Sequence, residues 1–221
     1  MSELHEQPVA LGARRGGGAV PDDPLGVIQR IRNAPPRPRP GERCDMCDEP
    51  VPDEHEHVVN VESRSLMCAC RGCWMLFAPD GAGRYRAVPD RYQVLADFTM
   101  AGEAWDSFQI PVSVAFFFDN SSLGHVTAFY PSPAGATESL LELGAWDSLV
   151  AANPVLESMF ADVEALLVRV SDGEHEAFVV PIDACYELVG HMRRLWRGFD
   201  GGREANDALD QFFADLRARC R

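Results

Sequence analysis

Four cysteines constrain this chain more than any other residues do. They follow the pattern Cys44-x2-Cys47-x22-Cys70-x2-Cys73. Each Cys-x2-Cys turn aims two thiolates at one point, so two such turns joined by a hairpin-sized insert suit a tetrahedral metal ion. The lead expectation is a zinc-ribbon-like module with structural zinc on Cys44, Cys47, Cys70 and Cys73. A rubredoxin-like mononuclear iron site uses the same donors and is the alternative, and an iron–sulfur cluster also takes four thiolates. Glycine commonly follows the second cysteine of such a turn. Here Asp48 and Trp74 stand there, and aspartate adopts the left-handed conformation better than most residues.

The insert between the two turns reads as a β-hairpin. Val58, Val59 and Val61 are β-branched, and Leu66-Met67 follow a turn at Ser63-Arg64. With those two loop residues, Glu62 faces Ser65, Val59 faces Cys68 and His57 faces Cys70. His57, Cys68 and Cys70 then point to one side, which makes His57 and Cys68 reserve ligands. His55 and His57 form a His-x-His pair. It reads as a spare ligand or two exposed strand residues, against a second metal or an open site. Trp74-Met75-Leu76-Phe77 is expected to cover the metal site, and Arg84–Val88 to form a third strand.

The flanking composition divides the chain. Residues 1–40 are rich in Gly, Pro and Arg and read as a disordered arm, with a short helix between Pro24 and Asn33. Residues 41–92 form the metal module. Residues 97–221 form an α+β helix–hairpin domain that looks doubled. Ala104-Trp105-Asp106-Ser107-Phe108 resembles Ala145-Trp146-Asp147-Ser148-Leu149, and an apolar strand, a polar turn and a return strand follow each. The strands are Val112–Phe118 and His125–Tyr130, then Val163–Val170 and His175–Val180, with Asp172-Gly173 as a hairpin signal. This pattern predicts a four-stranded antiparallel sheet with helices on one face. A helix over Asp183–Arg197 and a terminal amphipathic helix carrying Leu209, Phe212, Phe213 and Leu216 complete it. Pro131–Ser139 reads as a semi-rigid loop of small residues or a helix entry capped by Thr137 or Ser139. Trp196–Arg203 reads as a second loop.

The formal net charge of -14 disfavours nucleic acid as a partner. The chain shows no signal peptide and no apolar run long enough to span a bilayer, so a cytoplasmic location is expected, where clustered cysteines bind metal and do not form disulfides. Cys185 and Cys220 read as packed thiols. The zinc-deaminase pattern is missing, since Ala69 and not proline precedes Cys70. No nucleophile elbow, phosphate loop, dinucleotide fingerprint or kinase set is visible. The chain therefore reads as a non-enzyme, with an enzyme built on the helix–hairpin domain as a rival.

Four features together carry a resemblance: the cysteine module, Phe129–Ser139, Ala152-Asn153-Pro154-Val155-Leu156 and Trp196–Arg203. They resemble an actinobacterial family of unknown function encoded near uptake nickel–iron hydrogenase genes, over about residue 42 to the C-terminus. The resemblance implies an accessory or assembly role in hydrogenase maturation, with a hydrogenase subunit or maturation factor as the protein partner. It implies no catalytic residue.

Overall fold

In the computed structural model, described for residues 43–78, 81–100, 102–139, 143–171, 173–198 and 201–220, two antiparallel sheets lie in one unit spanning 39–221. The expected arm and its helix lie outside the described residues. So do Asp172 and positions 199–200.

The smaller sheet has the order β2-β1-β3. Its strands are β1 (Glu56–Asn60), β2 (Ser65–Ala69) and β3 (Tyr85–Ala87). A five-residue helix, α1 (Arg71–Met75), follows β2. The hairpin register differs from the expectation by two residues: Asn60 faces Ser65, Val59 faces Leu66 and His57 faces Cys68. Asn60 causes the difference. Its Oδ1 accepts the amides of Glu62 and Ser63 at 3.2 and 3.3 Å, which opens a four-residue loop, and Arg64 closes it at φ 53°. A shift of two keeps every side chain on its expected face.

The larger sheet has six strands in the order β4-β9-β8-β5-β6-β7, where four were expected. They are β4 (Gln93–Val94), β5 (Val114–Asn120), β6 (His125–Ser132), β7 (Gly135–Ser139), β8 (Glu164–Ser171) and β9 (Glu174–Pro181). The hairpins β5–β6 and β8–β9 stand back to back and join through their first strands, with Val114 facing Arg169 and Phe117 facing Leu166.

Pro131–Ser139 is a strand pair, neither a loop nor a helix entry. Pro131 faces Ala136 and Ser132 faces Gly135. Pro131 is tolerated because the β5 ladder ends earlier, at Phe116–Phe129, so its missing N–H leaves no gap there. Ser139 donates to the Phe108 carbonyl at 2.6 Å and caps no helix.

Helices cover both faces of this sheet, not one. Successive residues of β5, β8 and β9 alternate between two apolar clusters. Val114, Phe116, Leu167 and Phe178 pack with α4 (Ile182–Leu195) and α5 (Gly202–Arg219). Ala115, Phe117, Leu166 and Val179 pack with Phe108, Leu149 and Leu156, which belong to the segments around α2 (Gly102–Ser107), α3 (Leu143–Ala152) and the 3-10 turn Pro154–Ser158. The element order from α2 to α4 is helix, hairpin, helix, hairpin, helix, with β7 added to the first hairpin. Phe108 and Leu149, the last residues of the two similar strings, are buried in the same cluster. In α5, Leu209, Phe213 and Leu216 are buried, with Phe212 packed beside them. Gly202 and Arg203 belong to this helix, which shortens the expected Trp196–Arg203 loop.

The small sheet is not a separate bead. Val59 and Val88 are buried in the cluster with α4 and α5, and Val61 and Leu66 pack against it. Ser122 of the β5–β6 turn donates to the Val61 carbonyl at 2.8 Å.

Candidate metal centre

The first cysteine turn is a miniature hairpin. The Cys44 amide donates to the Glu49 carbonyl at 2.8 Å, and the Asp48 amide donates to the Cys44 carbonyl at 2.9 Å. Asp48 takes φ 61°, the left-handed position that its side chain tolerates. The second turn works differently. Cys70 caps α1, its sulfur accepting the Cys73 amide at 3.5 Å, and Cys73 lies inside the helix. Trp74 is therefore helical and needs no glycine-like conformation. Asp45 locks the two parts together. Its amide donates to the Cys68 carbonyl at 2.9 Å, and its Oδ2 accepts the Cys68 amide at 2.7 Å.

This framework brings Cys44, Cys47, Cys70 and Cys73 together, with all four Sγ atoms within 4.8 Å of one another. The Cys47 and Cys70 sulfurs are 3.7 Å apart, far beyond a disulfide bond, and all four thiols are free. Four thiolates bound at ~2.3 Å to one tetrahedral ion would stand ~3.8 Å apart. The cluster could therefore hold a metal ion, and its donors fit zinc and iron alike.

The thiols differ in acidity. Burial opposes ionisation of Cys44, but the backbone amides of Cys70, Met46 and Cys47 bring its pKa down to about 6. Burial and the neighbouring thiols Cys47, Cys44 and Cys70 push Cys73 up to about 12. The Cys44 thiolate thus forms readily and discourages ionisation of Cys73 until a cation arrives.

Cys68 and His57 do not join this cluster. They form a second group with His55. The expected apolar cover is also incomplete. Trp74 packs, donating to the Val88 carbonyl at 2.8 Å under the Arg71 guanidinium 4.4 Å away, and the Phe77 ring meets Tyr85 at 5.2 Å. Met75 and Leu76 point outward, 60% and 71% exposed.

Near these residues lies a groove of about 370 Å³ whose walls include Trp74, Ala78, Pro89, Phe160 and Val163. Phe160 is also exposed. A more polar groove of about 630 Å³ runs past Val94, Arg169, Glu176, Asp210 and Arg217. Four of its charged side chains pair with one another, Arg217 with Glu176 and Arg169 with Asp210.

The sequence shows no partner for Glu164, and the fold supplies one. Glu164 begins β8 fully buried, its Oε2 accepting the Phe160 amide at 2.8 Å. Arg91 Nε stands 3.0 Å from Oε1 without hydrogen-bond alignment. No local signal marks this pair, because its members lie far apart in the chain.

The profile of a family described as "Family of unknown function (DUF5947)" matches residues 43–220. The chain belongs to that family. No curated protein and no solved structure matches it. The DUF5947 match spans both the cysteine cluster and the six-stranded sheet. Among the described residues, no helix is long and apolar enough to cross a membrane.

Proposed function

We propose that this DUF5947 protein is a non-enzymatic, cytoplasmic accessory protein that holds another protein. Zinc on Cys44, Cys47, Cys70 and Cys73 is its structural ion. The observation that carries the binding role is the apolar groove at Trp74 and Phe160, together with the exposure of Met75 and Leu76, which follow Trp74 in the chain. Clustered exposed apolar side chains mark interaction surfaces. The metal serves this role by fixing α1, whose C-terminal end displays Met75 and the capping Leu76, to the rest of the module. The module is zinc-ribbon-like in its ligand spacing, and the sheet domain reads as a doubled helix–hairpin unit.

The partner is a subunit or maturation factor of an uptake nickel–iron hydrogenase. This assignment rests on the family resemblance of the sequence motifs. Disrupting the gene should lower assembled hydrogenase activity and leave transcripts of the structural genes intact. Leu76→Glu with Phe160→Glu should reproduce the defect in a protein that still folds, because both side chains are already exposed. Normal hydrogen uptake in the deletion strain would remove the hydrogenase assignment.

A rubredoxin-like electron carrier is the second reading, favoured by the four-sulfur donor set that iron shares. Elemental analysis and a visible spectrum separate the two. Zinc thiolate is colourless and redox-silent, and a red, redox-active protein would transfer the case to iron.

A further inference from the structure

We propose that the protein has a second metal site, made by His55, His57 and Cys68, that binds a zinc-like divalent ion and leaves one coordination position open. A ring nitrogen from each histidine and the Cys68 Sγ lie within 4.8 Å of one another. The group is distinct from the four-thiolate cluster and shares no residue with it.

The backbone builds the site. His57 and Cys68 face each other across the β1–β2 ladder, so their side chains leave the sheet on one face. His55 lies two residues before His57, and the two rings stand 4.8 Å apart between centroids. Cys68 is also held from the other side by Asp45, through its amide and its carbonyl.

The hydrogen bonds set the tautomers. His55 Nδ1 lies 2.8 Å from the Pro52 carbonyl, which can only accept, so Nδ1 carries the proton. His57 Nδ1 lies 2.9 Å from Asp183 Oδ2, and we assign it the proton likewise. Each ring is left with a lone pair on Nε2. A metal-ligating histidine is commonly oriented in this way, by a carbonyl or a carboxylate on its other nitrogen. Asp183 lies 126 residues from His57, in the first turn of α4, so the large domain fixes a ring of the small sheet.

His55 Nε2 supplies an independent observation. It is buried and has no hydrogen-bond partner. Buried polar atoms are nearly always satisfied, and an orphan calls for an explanation such as an ion. Two imidazoles and a thiolate suit zinc or its reporter cobalt. Three protein ligands leave the fourth tetrahedral position for water or a small anion, as in sites that exchange ligands.

The test counts ions on the full-length chain. After saturation with Co2+ and removal of the excess, wild type should carry two equivalents. His55→Ala, His57→Ala and Cys68→Ser should each carry one, with the sulfur-to-cobalt absorption of the four-thiolate site retained. Cys73→Ser should lose that absorption and keep the second ion's spectrum if its module stays folded. Asp183→Asn should keep two equivalents at saturation but bind the second about 10- to 100-fold more weakly. A measurement on wild type alone guards against misfolded variants: adding azide should shift the bands of the second equivalent only. Saturation of wild type at one Co2+, two equivalents in all three variants, or no azide response from the second equivalent would overturn the proposal.

Discussion

Glu164 and Arg91 place an ionisable pair where the fold exposes one partner only. The carboxylate is fully buried, whereas the guanidinium is 31% exposed. Arg91→Ala should cost on the order of 2 kcal/mol, below the ~3–5 kcal/mol for breaking a fully buried pair, because water already screens part of the attraction. Urea unfolding measures this. The pH dependence has a definite sign. Burial raises the Glu164 pKa above its ordinary 4.5, against the Phe160 amide and Arg91, which lower it. The folded state therefore keeps a proton that the unfolded chain has released. The resulting stabilisation is full below about pH 4.5 and is lost as pH rises through the folded value. The stability of wild type minus that of Glu164→Gln should thus grow as pH falls from neutrality toward 4.5. A difference that stays flat or shrinks would show that Arg91 outweighs burial.

At the scale of the element, the tight turn before β3 depends on Gly81. It sits at φ 75°, and a Cβ there would stand 2.6 Å from the Tyr85 carbonyl oxygen and from Arg86 Cδ. Gly81→Ala should destabilise the protein by about 1 kcal/mol or more, read as a lower urea midpoint, while Gly83→Ala, whose Cβ meets nothing within 4 Å, should cost less. Elements built from strong local patterns were legible in the sequence. β5 and β8 contain continuous apolar runs, Val114–Phe118 and Ala165–Val168, and α4 and α5 carry apolar stripes. Those same runs held the clue to helices on both faces, since a strand buried on one side alternates and one buried on both does not. The edge strands were harder. β7 reads Gly-Ala-Thr-Glu-Ser and β4 is only Gln93–Val94, so neither shows the β-branched alternation that marks a strand. At the candidate site, the cysteine spacing was readable because the turn chemistry is local. The carboxylate that orients His57 was not, because Asp183 reaches it only through the tertiary fold.

The whole molecule ties the small sheet to the large one. Val59, Val88, Phe116, Phe178 and Leu188 share one buried cluster, and His57 reaches Asp183 across the same junction. A metal that holds the small sheet together should therefore support the large one. Chelation should lower the temperature of a single cooperative transition in calorimetry, since ligand binding to the folded state alone adds to its stability. A large transition unchanged in temperature, with a small one lost, would show that the small sheet melts alone.

The back-to-back hairpins also dictate an order of events. Each closes through a short loop, Asn120 facing His125 and Ser171 facing Glu174, so each can pair soon after its own residues meet. The seam between them joins Val114 to Arg169 and Phe117 to Leu166, which first requires closing the long chain segment between β5 and β8. Closing that segment costs more chain entropy than closing either turn. By that cost the seam should form after the hairpins it joins, and a chain caught between the two events would present two ribbons of aromatic and aliphatic strand to wrong partners.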